Sequence, residues 1–265
     1  MFGLVVEATK QCGPAPEDRL RLVPYMMANF STLVGVREDT LNGLQTVGEF
    51  VVDLRRWSEG RVIQNFVLEK RKHILGEDHL DTITARNNLA RTLGNQGQLD
   101  EAARMQKEVL EKRKRIFGED HPVTITARNN LACTLGAQGQ LNEAVRMNKE
   151  VLEKLRCIHG EEHPDTITAM SNLAHMLGDQ GQLDEATRIY KEVLEKRKRI
   201  LGEEHPDTIA AMSNLAYMLG DQGRLDEATR MYKEVLEKRK LILGEDHPDT
   251  ITTMNNLASI LGDQG

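Results

Sequence analysis

From His79 to Asp120 the apolar positions fall in two blocks, each with recurring spacings of three and four. In the first block Ile83, Leu89, Ala90 and Leu93 share a stripe, and position 86 becomes Met170, Met212 and Met254 further along. In the second block Leu99, Ala102, Met105, Val109, Leu110 and Ile116 form another. Such spacing lines one face of an α-helix, so each block predicts a helix. "GNQG" separates the blocks and Gly118 closes the second, as helix-breaking residues do. The stretch is therefore expected to fold as a helical hairpin.

The hairpin is repeated. "HLDTITARNNLA" begins at His79, and similar strings begin at His121, His163, His205 and His247, each 42 residues after the last. A fixed period of this length is the signature of a stacked repeat array. A proline follows four of these histidines, where its missing N–H costs a first helical turn nothing. Glu161, Glu162 and Asp165 would favour the positive end of the helix dipole. His163, Asp165 and Glu162 could in principle hold a metal, but the same trio recurs at His205 and His247. A repeated helix start is the expected role, and no metal site is predicted. One hairpin cannot cover both its faces, so stability has to come from stacking neighbours. Ala90, Gly94 and Ala102 predict close helix approach, and the leucines predict anchors worth roughly 1.5–3 kcal/mol each when fully buried.

The strings "NNLA", "QGQLDEA", "KEVLEKRK" and "LGEDHPDT" together resemble tetratricopeptide repeats, in the 42-residue form of kinesin light chains. The register is gapless from His79 to Gly265. The same repeat type resembles the C-terminal arrays of large fungal multidomain proteins. The resemblance implies an all-α fold, a right-handed α-solenoid superhelix of antiparallel helical hairpins. Repeats are expected at 79–120, 121–162, 163–204 and 205–246, with the first helix of another over 247–265. Residues 37–78 read as a degenerate repeat that keeps Asp39, Thr40 and "VLEKRKHILGED". That segment departs at Arg55, Trp57 and Gly60, where the next repeat has Gly97, Leu99 and Ala102. Residues 1–36 are expected to hold one helix around Pro24, an N-terminal cap, after a loose start. The last helix lacks the polar outer face of a cap, and the array reads as cut from a longer one.

Composition narrows the function classes. With 265 residues, 39% hydrophobic, 4% aromatic and 29% charged, the chain suits thin helical layers with much exposed surface. A net charge of -6 gives no case for nucleic acid, and runs such as "EKRKRI", interleaved with glutamates, read as solvated helix faces. No run of about 18 apolar residues predicts a membrane span, and the N-terminus is a poor signal peptide. Cys12, Cys133 and Cys157 are odd in number without metal-ligand spacing, so reduced thiols and a cytoplasmic location are expected. No Ser-His-Asp spacing, HExxH, CxxC or phosphate-binding GxxxxGK[ST] occurs, so neither catalytic residues nor a cofactor are expected.

Positions that stay fixed across repeats describe a scaffold, whereas those that vary on one helix face can carry specificity. Position 91 varies most: Arg91, Cys133, His175, Tyr217 and Ser259. Asn87 and Asn129 lie one turn earlier, and Asn95, Asp179 and Asp221 one turn later, on the same face. In the family this chain resembles, that face lines a concave groove that binds extended peptides. Asn88, Asn130, Asn172, Asn214 and Asn256 do not vary. Their carboxamides could hold a peptide backbone, as in kinesin light chains, or brace adjacent helices. Arg91 predicts an acidic ligand segment near the early repeats, while Asp179, Asp221 and Asp263 predict a basic or polar one near the late repeats. Kinesin light chains favour acidic segments containing tryptophan, through basic residues for which Arg91 alone is a counterpart here. The expected function is a scaffold for a protein or peptide ligand. Two rivals stand beside it: the regulatory tail of an NTPase or hydrolase whose catalytic domain lies elsewhere, and end-to-end self-association.

Overall fold

The computed structural model describes residues 36–264 and Pro24, so the cap expected upstream lies, Pro24 apart, outside the described residues. Eleven helices and no strand are found among them. They fall into two units, up to Gln138 and from Gly139. The first holds α1 (Glu38–Asp53), α2 (Trp57–Leu75), α3 (Leu80–Asn95), α4 (Leu99–Phe117) and α5 (Pro122–Ala137). The second holds α6 (Leu141–His159), α7 (Pro164–Asp179), α8 (Leu183–Leu201), α9 (Pro206–Asp221), α10 (Leu225–Leu243) and α11 (Pro248–Gln264). Within each unit every helix packs on the next, and lighter contacts join α1 to α3, α3 to α5 and α9 to α11. The architecture is an all-α solenoid of helical hairpins. Among the described residues no helix is long and apolar enough to cross a membrane.

The repeated histidines start the helices. Nδ1 of His79, His121, His163, His205 and His247 accepts a hydrogen bond from the backbone N–H two residues on, at 3.1–3.3 Å. Each bond satisfies one of the N–H groups that a helix start leaves without an intrahelical partner. The second helix of a hairpin stops where a glycine takes a conformation closed to other residues, as Gly118 does at φ 88°, ψ 170°. The turn inside a hairpin needs a left-handed residue, supplied by Gly97 at φ 77°. In the degenerate repeat Arg55 adopts the same turn at φ 59°, at a cost of about 1–2 kcal/mol.

The core of the first unit is built from Leu41, Leu44, Val51, Ile63, Val67, Ala90 and Leu93. That of the second includes Ile167, Met170, Leu177, Tyr190, Val193, Ala216 and Tyr232. Close approach between the helices of a hairpin rests on one pair of small residues. In the second hairpin Gly94 faces Ala102, 3.9 Å from where a Cβ on the glycine would stand. The first hairpin exchanges the sizes: Val52 stands at the Gly94 position, and a Cβ on Gly60 would come within 2.3 Å of its Cγ2. Gly60 is thus the complement of Val52, and the departure from alanine makes room for the larger side chain.

Two expectations need correction. Ile116 was placed on the apolar stripe of its helix, but it is 44% exposed, as are Ile74, Ile158, Ile200 and Ile242 at the same register to within a few per cent. The second helix of a hairpin has 19 residues against 16 in the first, so its last turn overhangs by about 4.5 Å and meets few neighbours. The "EKRK" runs, read as solvated, each turn one arginine toward the next helix, and one of these is buried. Arg71, Arg113, Arg197 and Arg239 donate from Nη1 to the backbone carbonyl ten residues on, at Asp81, Val123, Asp207 and Asp249. Of these Arg71 is fully buried. Leu155 takes this place between them and is also buried.

Candidate functional site

The first helix of each hairpin is apolar on the sides that meet its neighbours, which leaves one strip of side chains uncovered. In the first unit that strip contains exposed Arg91 and Asn95 on α3 and half-buried Asn129, Asn130 and Cys133 on α5. Asn87 and Asn88 lie deeper and are buried. Asn88 Nδ2 donates to Glu49 Oε1 at 2.6 Å, and Asn130 Nδ2 donates to Asn87 Oδ1 at 3.2 Å. Each bond joins the first helix of one hairpin to that of the hairpin before. In this unit the carboxamides therefore brace neighbouring helices. Asn95 lies apart, lining a shallow depression with Arg56, Trp57 and Gln98 at the hairpin turns. Burial pushes the Cys133 thiol above its ordinary pKa, so it stays protonated at neutral pH and is a poor nucleophile.

The second unit presents His175 and Asp179 on α7, and Asn214, Tyr217 and Asp221 on α9, all exposed except half-buried Asn172. His175 Nδ1 lies 3.1 Å from Asp179 Oδ2, one turn along the same face. The Tyr217 hydroxyl donates to the Asp221 carboxylate in the same relation. Asn256 Nδ2 donates to the Tyr232 hydroxyl at 3.4 Å. Partial burial first, and the charge of Asp179 second, hold the Asp221 carboxyl above the usual carboxylate range against the opposing hydrogen bond from Tyr217. Tyr217 is raised in turn, mainly by the Asp221 charge.

Three contributors were missed in the sequence. Glu49 stands 42 residues before Arg91, so the register alone could have placed it on the strip. Tyr190 and Tyr232 sit on second helices, at the register that Gln64 and Gln106 occupy earlier. Both rings are buried under the strip, and burial pushes the Tyr232 hydroxyl up to about 12. Tyr190 is raised by burial and then by the nearby Asp179 charge.

His159, His163 and Asp165 bring three possible metal-ligand atoms within 4.8 Å of one another. The two imidazoles are stacked, with centroids 4.2 Å apart and planes 18° apart. Stacked rings direct their lone pairs side by side, whereas an ion needs them to converge. Nδ1 of His163 is also committed to its helix start. Phe117 stacks on His121 in the same way at 4.7 Å with no ligand atom to offer, which marks this as a packing motif. Nε2 of His159 is buried without a partner. Replacing His159 by phenylalanine is expected to raise stability by about 1–2 kcal/mol in urea unfolding. A loss of stability, coupled to stoichiometric zinc uptake by the unaltered chain, would reverse the assignment.

Family models described as tetratricopeptide repeat match residues 82–123, 124–165, 165–241 and 207–265. No curated protein matches the chain. Among solved structures, a kinesin light chain-like protein of Podosopora anserina with nearly identical TPR-like repeats is 22% identical, with a TM-score of 0.62 over 76% of this chain and 94% of that one. BtubC (BKLC) from P. vanneervenii is 18% identical, with a TM-score of 0.64 over 89% of this chain and 95% of that one. A Rap protein complexed with Competence and Sporulation Factor is 14% identical, with a TM-score of 0.67 over 94% of this chain and 72% of that one. At these identities the likeness is one of fold.

Proposed function

Since the chain belongs to the tetratricopeptide-repeat family, with repeats of the kinesin light chain type, we propose that it is a protein-interaction scaffold receiving a partner's extended segment along its first helices. One observation carries the reading. His175 and Tyr217 leave 60% of the side chain and 51% of the residue exposed, while Ala174 and Ala216 beside them are fully buried. The exposed register is also the one whose chemistry changes from repeat to repeat. A side chain that is largely uncovered and differs in every copy is free to be selected by a ligand.

Within each unit, buried alanines and leucines hold the first helices in place before any ligand arrives. Little ordering entropy then has to be met on binding. The Rap relative, seen complexed with Competence and Sporulation Factor, supports a fold of this kind as a receiver of partners. The reading places no catalytic step on the chain. It locates the protein in the cytoplasm, in keeping with the free thiols of Cys133 and Cys157.

Partners captured by the unaltered chain are expected to bind the Arg91→Ala/Tyr217→Ala variant about tenfold more weakly or worse. Truncating exposed groups should leave circular dichroism and urea midpoints nearly unchanged, so the loss would report contact rather than unfolding. Unchanged affinity for every captured partner would refute the assignment.

A further inference from the structure

The charges of the second unit are sorted by helix. Its first helices α7, α9 and α11 contain no lysine or arginine, yet each carries two aspartates: Asp165 and Asp179, Asp207 and Asp221, Asp249 and Asp263. The bases of the unit sit on the second helices α6, α8 and α10 and the turns between. There they pair with local carboxylates: Lys196 with Glu161 and Glu162, Lys238 with Glu204, Arg224 with Glu227. Asp179 and Asp221 have no such cation. Their partners are the imidazole of His175 and the hydroxyl of Tyr217. The two carboxylates lie near enough to repel one another, in a place already partly stripped of water.

From this juxtaposition we infer that the strip of the second unit takes a basic partner segment, with an arginine seated at Asp179 and Asp221 against the ring of Tyr217. The inference rests on the proposed scaffold reading and supplies the chemistry of its ligand. A guanidinium suits the place better than an ammonium. It can meet a carboxylate through two parallel hydrogen bonds, and its flat face can lie on an exposed phenol ring. An acidic segment would instead add like charge to first helices that hold no lysine or arginine. Exposed Asn214, one turn before Tyr217 on α9, offers its carboxamide to the backbone of the segment.

The test is selection of a random dodecapeptide phage library on the immobilised chain, followed by fluorescence anisotropy with the enriched peptides. Arginine- and lysine-bearing peptides are expected to be enriched and to bind Asp179→Asn/Asp221→Asn at least about tenfold more weakly. Asparagine keeps the shape and can still accept from Tyr217. A Glu195→Gln/Glu237→Gln variant, which removes the same charge from exposed positions on α8 and α10, is expected to bind as the unaltered chain does. Equal weakening in both double variants would reduce the effect to net charge and overturn the inference. Peptides that lose affinity in Tyr217→Ala but carry no base, or ignore the aspartate substitutions, would overturn it while leaving the scaffold reading intact. No enrichment, or only peptides indifferent to Tyr217, would overturn both.

Discussion

Replacing Arg71 by alanine is expected to destabilise the first unit by about 3–5 kcal/mol, the range for removing one partner of a buried charged network. Arg71 is 1% exposed and spends its guanidinium on four groups. Nε donates to Glu38 Oε1 at 2.9 Å, Nη2 to Asn42 Oδ1 at 2.6 Å, and Nη1 to Gln45 Oε1 and the Asp81 carbonyl. It therefore ties α1 and the start of α3 to α2 at once. Alanine would break all four bonds and open a cavity, and methionine would fill the cavity without restoring the bonds. Trp57, the one tryptophan of the chain, opens α2 and reports this unit by fluorescence. The urea midpoint read from Trp57 should fall by more than about 1 M in the alanine variant. A shift too small to measure would mean that the network does not hold the degenerate hairpin.

The second large effect is expected in the other unit. Tyr190→Ala should cost about 3–4 kcal/mol, as truncation of a buried aromatic ring does when its surroundings collapse only in part. The ring is 2% exposed and lies on α8, which packs against α7 on one side and α9 on the other. Tyr190→Phe keeps the ring and removes only the hydroxyl near Asp179, so its cost should stay under about 1 kcal/mol. Hydrogen exchange of α7, α8 and α9 separates the two variants, because openings in a repeat array are local and a single unfolding midpoint would blur them. Equal protection in both would show that the ring is not what supports the strip.

Helical hairpins and their solenoid arrangement were legible because they rest on local rules repeated many times: spacing of apolar residues, a glycine at each stop, a small pair at each crossing. What escaped was set by neighbours beyond the helix concerned. Arg71 lies in a run that reads as solvent-facing, and its burial follows from partners on two other helices, Glu38, Asn42 and Gln45 on α1 and the Asp81 carbonyl on α3. Ile116 follows the apolar period faithfully, but the overhang of its helix depends on the lengths of two elements compared. Tyr190 and Tyr232 replace glutamines, a change that says nothing about whether a hydroxyl will lie beside a carboxylate on another helix. The carboxamides of Asn88 and Asn130 show the same limit. Either role suits an unvarying asparagine, and only the positions of Glu49 and Asn87 reveal where the amides point.

The helix starts have a consequence for how such a chain can change its length. Glu162 precedes His163 as Glu204 precedes His205, each within the string "GEEHPDT". Excising residues 163–204 would join Glu162 to His205 and recreate a junction the chain already contains, imidazole, proline and acidic neighbours included. A gene of this kind can shed or gain one period in frame with the sequence at the junction unchanged. Copy number thereby becomes a heritable dial on the length of the array.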